Sequence, residues 1–149
     1  MPEAALEYLQ NHRVMYLATA SKSGNPHVAP MFFVAESGGI YFSAADDSET
    51  ARNLKENPIA EVVVSDDTSD PSKATGVQIE GPASAVSGDD AGRIGKLLQE
   101  RIPQLGAAAA AASYWRLEPK DVVQLSNGGS HEETHQSLGQ TWGKDHVGL

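Results

Sequence analysis

The sequence predicts a mainly β fold with helices set between its strands, an α+β arrangement, on three observations between Arg13 and Val64. First, three runs suited to a pleated surface, RVMYLATA, HVAPMFFV and IYFSA, are separated by the turn segments SKSGN and ESGG, which predicts two hairpins. Second, DDSETARNLKENP carries N-cap candidates at Asp46, Asp47 and Ser48, sets Ala51 and Leu54 inward, and stops at Asn57-Pro58. Third, the strand AEVVVSD follows at once, so the stretch has almost no spare residues.

The remaining elements follow in chain order. Residues 3 to 11 form a predicted helix with Pro2 near its start and Ala5, Leu6 and Leu9 on roughly one face, placed to lid the strands. Residues 65 to 75, SDDTSDPSKAT, are polar and contain Pro71, and so read as a loop between two strands. From Asp89 or Asp90 the apolar positions Ile94, Leu97, Leu98 and Ile102 keep helical spacing, and Pro103 ends the pattern. GAAAAAAS, residues 106 to 113, favours helix by composition but is short, and reads as a small-residue helical turn or linker. Beyond Asn127 the composition turns to Gly, Ser, His, Glu and Gln, with apolar residues only at Leu138, Trp142, Val147 and Leu149. Residues 1–127 are therefore expected to form one domain, and 128–149 a polar tail that packs on it or is partly disordered. No internal repeat is found.

Composition limits the function. The 149 residues include no cysteine, which excludes disulfides, thiolate nucleophiles and cysteine-held zinc or iron-sulfur centres. Twenty acidic residues against eleven basic ones give a net charge of -9. A surface of that sign disfavours phosphate backbones and anionic membranes, so neither nucleic acid nor a membrane is an expected partner. No apolar run approaches the roughly 18 residues of a membrane span, and the N-terminus lacks the basic start and apolar stretch of a secretory signal. A soluble, cytoplasmic protein is the expectation.

Taken together, the strand, turn and helix order, GVQIEG and YWRLEPKDVVQLS resemble the FMN-binding split β-barrels of the pyridoxamine 5'-phosphate oxidase-like superfamily over roughly residues 5 to 127. In that resemblance TGVQIEGPASAV is the long central strand, DDAGRIGKLLQERIP the helix after it and SYWRLEPKDVVQLSN the closing segment. It implies a split barrel of about six or seven antiparallel strands and a homodimer with its cofactor groove at the subunit boundary. It also implies an FMN-binding protein, a flavin-dependent oxidoreductase acting on a small molecule whose identity the sequence does not name. The alternative of a different class is a split barrel without flavin catalysis, one that binds small molecules, haem or a deazaflavin or serves in stress. No side chain stands out as a catalytic acid, base or nucleophile, as expected where the cofactor carries the redox step.

By the resemblance, His27, Val28, Ala29 and Pro30 run along the flavin ring, and Phe42 and Ser43 make the matching contacts from the third strand. On physical grounds the phosphate is expected where helix N-terminal amides converge near Ser48 to Thr50, because unpaired donors and the helix dipole favour an anion there. Ser48 and Thr50 add hydroxyls. Arg52, one turn in, either reaches the same oxygens or pairs on the surface with Glu49 or Glu56. The competing reading of the second strand makes Val28, Met31 and Phe33 ordinary core and His27 a surface residue. Four positions depart from the oxidase pattern: His27 replaces an arginine, Glu49 and Thr50 replace an Arg-Lys pair, and Gly76 replaces a polar ring contact. The basic and aromatic substrate-binding tail has no counterpart, so vitamin B6 oxidation is not the expected activity.

HEETH, residues 131 to 135, fits the letters of the zinc-protease motif in which two histidines one helical turn apart hold the metal. Its place after Asn127-Gly128-Gly129-Ser130 in a polar terminus argues for a solvated tail, with weak metal binding as the other reading and no assigned metal site. Trp115 in YWRL reads as core, and Trp142 as docking on the barrel or on a partner subunit.

Overall fold

A computed structural model describes the backbone of residues 1–106, 112–127, 133–137 and 140–148, and the side chains of all of these except 133–137 and 140–143. The predicted hairpins form: β1 (Val14–Ala20) pairs with β2 (Pro26–Glu36), and β2 turns at Ser37-Gly38 into β3 (Gly39–Ala44). In β1 the alternation is regular, with Met15, Leu17 and Thr19 buried and Val14 and Tyr16 exposed. In β2 it breaks after Phe32. Phe33, Val34 and Ala35 are all buried, because Phe33 faces the barrel core while Val34 meets Ile94 and Leu98 of helix α3 (Gly88–Arg101) on the other side.

Helix α2 (Glu49–Glu56) starts at the third of its three candidate caps: the Ser48 Oγ accepts from the Ala51 amide at 3.1 Å. Its apolar face sets Ala51 and Leu54 into the core, and Asn53, also buried, donates through Nδ2 to the Thr19 hydroxyl at 3.1 Å. Strand β4 (Ile59–Ser65) then returns along β1, and the loop after it holds a short 3-10 turn at Pro71–Lys73. Helix α1 (Glu3–Gln10) closes one side of the barrel through Ala5 and Leu9.

The long strand β5 (Thr75–Val86) completes the ring. It pairs with β4 from Gly76 to Pro82, and on its other edge first with β7 (Asp121–Ser126) and then with β6 (Ser113–Leu117). The order β4-β1-β2-β3-β6-β5, closed by β4 on β5, is a six-stranded antiparallel barrel. Closure sets Met15, Leu17, Phe42, Val62, Ile79, Trp115 and Leu117 in one core. Trp115 is core, as its sequence context predicts; its indole nitrogen is buried and has no hydrogen-bond partner among the described residues.

Two strands had no sequence signal. β8 (Glu133–Ser137) and β9 (Gln140–His146) pair with each other, and β9 pairs with β7 from Val123 opposite His146 to Ser126 opposite Gly143. They form on backbone pairing along the edge β7 presents, not on β-favouring composition. Residues 107–111 of the alanine run, His131 and Glu132 of HEETH, Leu138, Leu149 and the side chains of His135 and Trp142 lie outside the described residues, and so do the expectations that rest on them. No helix among the described residues is long and apolar enough to cross a membrane.

Candidate functional site

The barrel is split where β2 and β3 part. Their pairing begins at Phe33 opposite Phe42, so the stretch Pro26–Phe32 is paired with β1 alone among the described residues, while Ser43 and Ala44 are paired with β6. The other edge of Pro26–Phe32 therefore offers backbone donors and acceptors that no described strand uses. The first turn of α2 comes against the same stretch, with His27 Nδ1 3.3 Å from a Glu49 carboxylate oxygen.

The nine residues expected at a cofactor do not share one face. Directly opposite residues in an antiparallel pair project to the same side, so His27 and Ala29 project with Thr19 and Leu17 toward α2, whereas Val28 and Pro30 project with Ala18 and Tyr16 to the outer face. Val28 is 61% exposed, and Val14, Tyr16 and Phe32 are exposed beside it as an apolar strip on the outer face of β1 and β2. Phe42 is fully buried and paired with Phe33 on one side and Trp115 on the other, and Thr50 is 2% exposed, so neither presents a surface to a ligand. Ser43 and Ser48 are half-buried. The Arg52 guanidinium donates to the backbone carbonyl of Asp47 rather than reaching Glu49 or Glu56.

These residues fit the two ends of FMN unequally. The edge of β2 that no described strand uses suits the polar rim of a planar ring. The α2 end does not suit a phosphate. Ser48 is engaged as the cap, Thr50 is closed off, Arg52 is turned to Asp47, and Asp46, Asp47 and Glu49 bring three carboxylates to one short segment.

Sequence reasoning missed two polar clusters, because their members lie on different elements. At the end of α1, His12 faces the Tyr8 carbonyl through Nδ1 at 2.7 Å and Asp66 through Nε2 at 2.8 Å. Asp66 also accepts from the hydroxyls of Thr75 and Tyr8. The His12 bond, foremost, and these hydroxyls hold the Asp66 carboxyl below the usual aspartate range, while burial pushes the Tyr8 hydroxyl up. The cluster ties α1 to the chain leaving β4. On the outer face, Glu61 lies directly opposite Glu80, and Glu80 opposite Asp121, in a groove of about 160 Å³ also lined by Gln78, Lys144 and His146. His146 stands 3.0 Å from Asp121. Among the described residues no group of three or more histidine or acidic side chains is arranged to hold a metal ion. A cleft of about 460 Å³ lies elsewhere, lined by Gln10, Val34, Glu36, Leu97 and Arg101.

Comparison with known proteins bears on the fold and the family. The description "Pyridoxamine 5'-phosphate oxidase" matches residues 1–126. Among solved structures, HutZ, the heme storage protein from Vibrio cholerae, is 21% identical with a TM-score of 0.70 over 79% of this chain and 89% of that one. A heme binding protein from Mycobacterium smegmatis is 21% identical with a TM-score of 0.75, over 99% of this chain and 58% of that one. An F420 reductase is 22% identical with a TM-score of 0.65, over 82% of this chain and 98% of that one. No protein of curated function matches in sequence. At such identities the likeness to solved structures is one of fold. The family match, however, runs from the first residue to the end of β7, and the chain belongs to the pyridoxamine 5'-phosphate oxidase family of split barrels.

Proposed function

We infer that this chain is a flavin-binding protein that works as an oxidoreductase on a small molecule, the isoalloxazine ring supplying hydride or electron transfer and the protein supplying binding and orientation. The observation that carries the reading is the split itself: a strand edge left unpaired over Pro26–Phe32, facing the parted end of β3, in a fold whose neighbours include an F420 reductase. FMN is the cofactor the family resemblance names, and a deazaflavin would use the same ring contacts.

A homodimer belongs to this reading. The exposed strip of Val14, Tyr16, Val28 and Phe32 adjoins the split, and a second copy laid on it would remove apolar surface from water and wall the open side of the groove. A second reading, haem binding without flavin catalysis, is favoured by the poor phosphate seat and by two heme proteins among the fold neighbours.

Purified protein separates the two. Saturable fluorescence quenching of added flavin, with a dimer mass in sedimentation, supports the first. A Soret band on adding hemin with no response to riboflavin, FMN or a deazaflavin supports the second and overturns the first.

A further inference from the structure

Charged groups of the expected phosphate seat are paired among themselves. Glu49 is the first residue of α2, where a carboxylate already answers the positive end of the helix. It also meets His27, the basic side chain that β2 turns toward that end. The Arg52 guanidinium, one turn into the helix, is directed to the Asp47 carbonyl. Asp46 and Asp47 precede the cap. A phosphate monoester, with about -1.5 to -2 charges at neutral pH, would have to displace the Glu49 carboxylate from both His27 and the helix end. It would also meet the field of two further carboxylates. The unpaired ring-holding edge of β2 has no such obstacle.

We propose that Glu49, held by His27, is a specificity determinant that rejects a terminal phosphate at the α2 end, so that the split takes a flavin ring carrying a neutral polyol tail in preference to its phosphate ester. This deepens the flavin reading and rests on it. Riboflavin is then bound more tightly than FMN, opposite to the order a helix-end seat with free cations would produce. The rejection is electrostatic at a half-exposed carboxylate, 54% accessible, so it weakens with salt.

The test is fluorescence titration of the apoprotein with riboflavin and with FMN, in wild type, Glu49→Gln and Glu49→Lys. Glu49 is exposed, and circular dichroism checks that each variant is folded. The expected result is wild-type affinity for riboflavin about tenfold above that for FMN, equivalent to about 1.4 kcal/mol. Glu49→Gln should close most of that gap and Glu49→Lys reverse it, with riboflavin affinity unchanged throughout. Raising salt from 0.1 to 1 M, which shortens the screening length from about 10 to about 3 Å, should narrow the wild-type gap. Riboflavin bound no tighter than FMN by wild type, or a ratio unmoved by Glu49→Lys, overturns the role of Glu49 and leaves the flavin reading standing. Failure of wild type to bind riboflavin, FMN or a deazaflavin overturns the flavin reading and this proposal with it.

Discussion

Replacing Gly81 with alanine tests how the barrel closes. β5 pairs with β7 up to Glu80 and with β6 from Ala83, and Gly81 sits where it changes partners. A β-carbon at Gly81 would stand 1.9 Å from the Glu118 carbonyl oxygen and 3.3 Å from the Lys120 nitrogen. Close carbon-oxygen contacts run at about 3.3 Å, so one backbone must move by more than about 1 Å. Neither is free to do so: the Glu118 amide donates to the Pro82 carbonyl and the Lys120 amide to the Glu80 carbonyl, each at 2.9 Å. Overpacking costs about 1–3 kcal/mol. Loss of the two turn hydrogen bonds adds about 0.5–1.5 kcal/mol each, so a loss of roughly 4 kcal/mol is expected from a domain stable by about 5–15. In urea unfolding, at a slope of about 2 kcal/mol per molar, the midpoint falls by about 2 M. Gly92→Ala is the control, in helix α3 with open space around the new methyl, and is expected to raise stability by about 0.5–1 kcal/mol. A Gly81→Ala midpoint equal to wild type would refute this account of the corner.

Other perturbations probe single contacts. Asn53→Ala leaves the buried Thr19 hydroxyl without its Asn53 donor and is expected to cost about 1–3 kcal/mol, while Asn53→Leu combined with Thr19→Val costs less than the sum of the two single changes, by thermal unfolding. Glu80→Gln removes a charge directly opposite both Glu61 and Asp121, and is expected to stabilise by about 0.2–1 kcal/mol at low salt and by less at high salt. Asp66 has its folded value lowered, chiefly by His12. Its contribution is therefore present above the ordinary aspartate range, near about pH 4, and is lost as pH falls through the lowered value. Asp66→Asn should flatten the acid limb of a stability-against-pH curve measured by urea unfolding.

Much of the barrel could be read along the chain. The turns SKSGN and ESGG, the Ser48 cap and the stop at Asn57-Pro58 are local chemistry, and each lies where the residues place it. Thr50 is the instructive contrast. Its hydroxyl suited an anion by residue type and position in α2, yet the helix face that buries Ala51 and Leu54 also carries Thr50 inward, and only the packing of α2 on β1 shows it. Val28 and Pro30 differ from His27 and Ala29 for a related reason: neighbours in a strand project to opposite faces. The hairpin β8–β9 had no signal because it draws on an edge belonging to β7.

Sequence alone determined the class of fold, the hairpin order and the start of α2 to within three candidate caps, because period-2 patterning, turn residues and caps act over a few bonds. It also determined that cysteine chemistry is absent, since composition needs no geometry. Tertiary structure alone decided that His27 meets Glu49, that Glu61, Glu80 and Asp121 stand in one row and that the Gly81 corner is tight. Those proximities arise when β4 closes on β5 and β2 parts from β3, bringing together residues that no local rule connects.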